Sequence, residues 1–340
     1  MKKTLILILK KIIHITLILL LLSLVVFSFI RMIPGDPVKS SLGPLASEET
    51  IAEYRHQLYF DRPLLVQWGH WLAGIVTKGD FGTSLYTHRA VSIDIAQYLP
   101  RSLELCILAA VLILAFGVLL GTISALFRNT WVDNLIRFVS YLGIVTPAYA
   151  FGIIFMLLFA YHLHAFPIGG FPNIPDSIHI TGAPALDCLL SGQFGLFVQC
   201  MRSYFLPCIS VAIGSVAYQA RIHRSSMVEN INADYIAFAE VAGVNKCKLI
   251  CKHLMKPSFI PTLTVYGLQV ASLLGNAFII ENIFRINGFS QYALNVILNK
   301  DPYGIISVTM IFGIMFSVIN MLVDIGVALL DPRIRLRGES

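Results

Sequence analysis

"LELCILAAVLILAFGVLLGTISAL", residues Leu103–Leu126, settles what class of protein this is. The run carries one charged side chain, Glu104, at its edge. A helix crosses the hydrocarbon layer of a membrane in roughly 20 apolar residues. Hydrocarbon offers the backbone no hydrogen-bonding partner, so such a segment must bond itself as a helix, and an open sheet is excluded. The apolar–polar alternation of a membrane barrel is missing. Five further blocks read the same way. Ile12–Ile30 has only His14, Thr16, Ser23 and Ser28 as polar side chains, and Phe138–Tyr161 has no charge. Tyr204–Ala220 is shorter and contains Pro207, while Ser258–Ile280 and Ile305–Val323 are uncharged. The whole chain of 340 residues is 56% hydrophobic and 13% charged, against roughly 25% charged in soluble domains. The fold class is therefore an all-α integral membrane protein with six transmembrane helices.

Charge orients it. Lys and Arg favour the cytoplasmic side of short loops. Lys2, Lys3, Lys10 and Lys11 precede the first span, and Arg128 and Arg137 flank the turn after the second. Arg221, Arg224, Lys246, Lys248, Lys252 and Lys256 lie between the fourth and fifth, and Arg333, Arg335 and Arg337 follow the sixth. Both termini are expected in the cytoplasm, with residues 32–102, 162–203 and 281–304 outside. The chain divides into a tail and first helix (1–31), an outer region (32–102), a core of five helices (103–330) and a C-terminal tail (331–340). The core includes outer loop 162–203 and cytoplasmic loop 221–257. The first span is longer than the roughly 7–15 apolar residues of a signal core, and "FSFIRMIPGDP" after it has no small-x-small cleavage site, so it reads as a retained helix. The net charge of +6 follows from topology, and no basic face for nucleic acid is visible.

Of six cysteines, Cys106 and Cys208 fall in or at spans and read as small apolar packers. Cys247 and Cys251 lie in the cytoplasmic loop, where thiols stay reduced, and with His253 they lack the spacing of a metal site. Cys188 and Cys200 share an outer loop, where a disulfide and two free thiols are equally open readings. Glu104, Glu281 and Asp324 sit at span ends, where ionisation is cheap; Arg333 or Arg335 could pair with Asp324. His14, His162 and His164 are scattered and read as surface groups rather than ligands.

The cytoplasmic loop carries the functional signal. "DYIAFAEVAGVNKCKL", Asp234–Leu249, is patterned where a connector would need no pattern. The segment up to Gly243 reads as helix, and glycine is a natural stop because it takes the left-handed conformation without a Cβ clash. A basic amphipathic helix follows. Ala237 and Ala239 among Tyr235 and Phe238 suit a helix laid into a partner's groove.

These residues resemble the loop of ABC-transporter permeases of the dipeptide, oligopeptide and nickel importer family. "RMIPGDP" (31–37), "DRPLLVQWGHWLAGIVTKGDFGTSL" (61–85), "LPRSLEL" (99–105), Glu281 to Phe284 with "NGFS", and Asn320, Asp324 and "DPRIR" also resemble that family, in order along the chain. The chain departs from the family pattern at Ala237, Phe238, Asn287, Ser290 and Pro257, and Pro257 is expected to break the helix before the fifth span. The resemblance implies a type I importer permease fold in a bacterial inner membrane. It assigns Asp234, Tyr235, Ala239 and Gly243 to a coupling helix docked on an ATPase. It implies a homologous second permease, two ATPase subunits and an external substrate-binding protein as partners. ATP and Mg²⁺ would be used by those ATPase subunits, because this chain has no G-x-x-x-x-G-K-[ST] loop, binds no cofactor of its own and is no enzyme. Di- or oligopeptides are the expected substrates, with nickel or a metal chelate as the alternative. Gln269, Ser272 and Asn276 on the fifth span are candidates to line the path. The alternative of another class, an ATP-independent channel or secondary carrier, would be expected to bury ionisable residues mid-span, and the middles of the six spans lack Asp, Glu, Lys and Arg.

Overall fold

The computed structural model describes residues 2–32, 37–42 and 46–330. In chain order the helices are α1 (Lys2–Met32), α2 (Pro37–Leu42), α3 (Glu48–Gln57), α4 (Leu64–Lys78), α5 (Val91–Leu126), α6 (Trp131–Val145) and α7 (Ala148–Phe155), which continues as a π-helical turn, Met156–His162. There follow α8 (Pro184–Leu190), α9 (Phe194–Ile231), α10 (Asp234–Val241), α11 (Lys246–Lys248) with a π-helical turn Leu249–Leu254, α12 (Met255–Ile283), α13 (Phe289–Leu298) and α14 (Pro302–Leu330). Most of "RMIPGDP", and "DPRIR" with the arginines offered to Asp324, lie outside the described residues.

Among the described residues five stretches are long and apolar enough to cross a membrane: Lys11–Met32, Val91–Leu126, Phe194–Ile231, Lys246–Ile283 and Pro302–Val323. A sixth exists if α6 and the α7 segment count together, for they meet at a bend of 104°. The third span, expected as one helix, is thus broken. Pro147 has no N–H, and its ring pushes the preceding residue out of the helical region. Thr146 accordingly has φ −83 and ψ 127. Pro207 does not end α9, which runs through it for 38 residues. The other helices also overrun the apolar blocks, because helix formation does not stop where hydrocarbon does.

The chain divides into two compact units, residues 1–101 with 287–317, and residues 102–286 with 318–340. In the first, Phe27, Trp71, Ile306 and Met310 form a buried cluster of α1, α4 and α14. Trp68 Nε1 donates to Ser23 Oγ at 3.1 Å, and Trp71 Nε1 to the Phe81 carbonyl at 3.1 Å. The Arg31 guanidinium lies 3.9 Å from the Phe60 ring centroid, a cation–π contact that lets a charge sit among apolar groups. Buried Asp94 is matched by Arg89 and Thr87, and buried Asp301 accepts from Ser84 Oγ at 2.5 Å and from the Gly304 N–H at 3.2 Å. Burial pushes the Asp301 carboxyl up, against the pull of those donors. The described residues between the first and second spans are therefore built largely on helices rather than open loop.

The second unit is organised on α9, which packs against α5, α6, α7, α8 and α12. Lipid tails are as apolar as the helices, so close fit and polar contacts hold such a bundle together. Gly117 and Gly121 let α5 cross α9 nearly backbone to backbone: a Cβ on Gly121 would stand 2.7 Å from the Ala220 carbonyl oxygen. At the crossing His223, fully buried, contacts Thr122 Oγ1 at 3.1 Å and Thr262 Oγ1 at 2.9 Å, joining α5, α9 and α12. Gln219 Nε2 donates to the Thr262 carbonyl at 2.8 Å. Gly121→Val is expected to force the helices apart and cost about 1–3 kcal/mol, as overpacking does. The check is the thermal midpoint in detergent, which should fall for G121V and hold for Leu119→Val, a swap at an exposed position.

Candidate functional site

The loop between the fourth and fifth spans does not run as one helix to Gly243. α9 ends at Ile231, and Ala233, with φ −79 and ψ 143, restarts the chain as α10. Asp234 stands in the first turn of α10, where a carboxylate favours the positive end of the helix dipole. Ile236 and Ala239 turn inward and join Ala125, Met227, Leu249 and Leu254 in a buried cluster. Phe238 and Val241 point away from it and are 76% and 90% exposed. One face of α10 is thus fixed to the protein while the other offers an aromatic ring and a branched side chain to whatever lies beneath. Tyr235 OH donates to Asn230 Oδ1 at 2.7 Å, tying α10 to the end of α9, and partial burial pushes its phenol up.

The end of α10 is a Schellman turn. The Val244 N–H bonds the Ala239 carbonyl at 3.1 Å, the Gly243 N–H bonds the Glu240 carbonyl at 3.0 Å, and Val244 packs on the buried cluster. Gly243 takes φ +75, and nothing lies within 4 Å of where its Cβ would be. Its requirement is conformational, not steric. Gly243→Ala should therefore destabilise the turn by about 1–2 kcal/mol, the cost of a left-handed L-residue. That corresponds to about 5–30-fold more of the opened form, read as faster proteolysis at residues 242–245 of the detergent-solubilised protein.

Beyond the turn Asn245 caps α11, its side chain accepting from the Cys247 N–H at 3.0 Å. Pro257, expected to break the helix, instead lies within the continuous helical stretch Lys246–Ile283, three residues after the π-helical turn Leu249–Leu254. Helices that run through a proline adjust locally, and a π-helical turn is one such adjustment. Among the described residues no group of three or more His, Cys, Asp or Glu is placed to hold a metal.

The same unit holds an ion pair of which only Arg224 figures in the sequence reading, as a loop charge. Asp133, fully buried at the start of α6, accepts from Arg224 Nε and Nη2 at 2.7 and 2.6 Å. Ser124 Oγ at 2.5 Å and the Asn129 N–H at 3.0 Å complete its shell. A bidentate guanidinium thus fastens the α5–α6 turn to α9, ten positions before α10 starts. Nothing in the sequence signals a contact between residues 91 positions apart.

The remaining candidates fall elsewhere in the unit. Gln269, Ser272 and Asn276 share one stripe of α12 by helical spacing, with Ser272 and Asn276 exposed. Gln269 accepts from Ser215 Oγ at 2.7 Å, and Ser272 Oγ donates back to the Gln269 carbonyl at 2.8 Å. Glu104 is not a lone interfacial acid: its carboxylate accepts from the Ala185 and Leu186 N–H groups at 3.1 and 2.7 Å and so caps α8. Cys188 and Cys200 are both fully buried, on α8 and α9, which pack against each other.

Comparison with known proteins agrees with this layout. Residues 117–336 match the family model described as "Binding-protein-dependent transport system inner membrane component", and residues 4–106 match "Binding-prot-dependent transport system membrane comp, N-term". The dipeptide transport system permease protein DppB of Alkalihalophilus pseudofirmus is 35% identical, covering 92% of this chain and 94% of its own. The probable D,D-dipeptide transport system permease protein DdpB of Escherichia coli is 32% identical over 95% and 96%. The glutathione transport system permease protein GsiC of Salmonella typhimurium is 31% identical over 97% and 99%.

Proposed function

The chain belongs to the family of binding-protein-dependent transport system inner membrane components, and from that premise we propose that it is the permease subunit of an ATP-driven importer of di- or oligopeptides. The observation that carries this reading is the exposed Phe238–Val241 face on a helix whose other face is locked into the bundle. Exposed apolar side chains on a short polar-flanked loop helix mark a protein contact. The sequence holds no phosphate-binding loop, so the energy must arrive through such a contact.

In this mechanism two ATPase subunits close on ATP and displace α10. The Schellman turn and the buried cluster pass the displacement to α9 and the π-helical turn, and the Asp133–Arg224 pair carries it to the α5–α6 turn. Packed elements with firm contacts shift as bodies rather than absorb the motion. A homologous second permease would complete the path, an external binding protein would deliver substrate, and both termini would lie in the cytoplasm. The polar stripe Gln269, Ser272 and Asn276 on an otherwise apolar helix supports its assignment to the path. The substrate class rests on the names of the relatives, which speak of dipeptide, D,D-dipeptide and glutathione, all short peptides.

The test is uptake by a strain deleted for this chain and by its complemented parent, with labelled dipeptide, longer peptide, glutathione and nickel. Complementation should restore peptide uptake, abolished again by ATP depletion. Restored nickel uptake alone, or uptake that survives ATP depletion, would contradict the reading.

A further inference from the structure

Cys188 lies on α8 and Cys200 on the first turns of α9, and neither exposes surface to solvent. α8 packs against α9, and the Cys188 thiol is close enough to that of Cys200 to influence its ionisation. The frame around them is fixed. Asp187 accepts from the Thr181 N–H and Oγ1 at 2.7 and 2.6 Å and from the Gly182 N–H at 3.0 Å, while Glu104 holds the N–H groups of Ala185 and Leu186. These bonds hold α8 to its preceding loop and to α5, and the Gln193 N–H, donating to the Cys188 carbonyl at 2.9 Å, ties the start of α9 back to α8. Cys208, further along α9, has the Leu105 carbonyl as the acceptor for its thiol at 3.8 Å. The segment 162–203 contains a single basic residue, Arg202, whereas residues 221–257 hold six, which puts the first outside and the second inside.

We propose that Cys188 and Cys200 are joined by a disulfide in the mature protein, fastening α8 to the start of α9. This rests on the topology proposed above, which places the pair in an oxidising compartment. Both S–H bonds break and one S–S bond forms. The two protons and two electrons pass to the disulfide of an extracytoplasmic thiol oxidant, which leaves as a dithiol by exchange through a mixed disulfide. Because the folded unit buries both sulfurs, oxidation precedes the closing of α8 over α9.

Intact cells are treated with a membrane-impermeant maleimide, then the protein is purified, denatured and alkylated with iodoacetamide without reductant, and its peptides are weighed. The expected result is a linked pair of peptides about 2 Da lighter than the two thiol forms together, separating and alkylating only after reduction. Cys188→Ser should free Cys200 for alkylation in the unreduced sample. Full alkylation of both Cys188 and Cys200 in unreduced wild-type protein would overturn the proposal. The exposed Cys247 and Cys251 read the topology separately: they should escape the impermeant reagent in intact cells, and their labelling would overturn the orientation on which the proposal rests.

Discussion

Arg224→Ala is expected to destabilise the protein by about 3–5 kcal/mol, the usual result of removing one partner of a buried ion pair. Asp133 exposes no surface, and Arg224 supplies two of its four hydrogen bonds. Without the guanidinium the carboxylate keeps Ser124 and one backbone N–H but has no countercharge. It must then draw in water or take up a proton, and either loosens the α5–α6 turn from α9. Asp133→Ala should be milder, because Arg224 keeps a fifth of its side chain exposed and can turn toward water. The double variant Asp133→Leu/Arg224→Met, which removes both charges and refills the volume, should recover most of the loss. Thermal midpoints of the purified proteins in one detergent give the order: wild type, double variant, D133A, R224A. A double variant no better than R224A would show that the pair does more than balance charge.

Phe238→Ala is expected to leave this chain intact and abolish transport. The ring is 76% exposed, so its loss should move stability by no more than about 0.5 kcal/mol, as for surface substitutions generally. A buried aromatic anchor at an interface contributes 2 kcal/mol or more, about a 30-fold loss of affinity for the ATPase subunits. Co-purification of those subunits and labelled-dipeptide uptake should both collapse while the membrane level of F238A equals wild type. Ala239→Leu reverses the pattern. Position 239 faces the buried cluster with Met227 and Leu249, so the larger side chain should destabilise the chain itself.

The parts of the fold that the sequence showed are those set by local chemistry. Leu103–Leu126 had to be a helix because hydrocarbon leaves the backbone no other partner. Gly243 was legible as a stop because one residue's conformational freedom suffices to identify it. Ala239 was legible as a small residue at a close approach, though the approach is to its own bundle. The broken third span was missed although Pro147 stands in plain view, because an uncharged block of the right length masks a proline whose neighbour must leave the helix. Pro257 was misread in the opposite sense, since the helix carries through it after the π-helical turn Leu249–Leu254, which no residue pattern announces. The Asp133–Arg224 pair, the His223 junction and the capping of α8 by Glu104 were out of reach. Each joins residues 81 or more positions apart, or, at Thr262, on a helix 39 positions away. Periodicity and spacing carry no record of such contacts.

The most direct measurement is cysteine cross-linking from α10 in membranes that contain the ATPase subunits, in a Cys247→Ser/Cys251→Ser background. Phe238→Cys and Val241→Cys should each capture an ATPase subunit, with a yield that changes when ATP is added, while Ala239→Cys, facing inward, should capture none. If positions 238 and 241 find only lipid or solvent during active uptake, α10 does not receive the motor's push, and the proposed route of coupling is wrong.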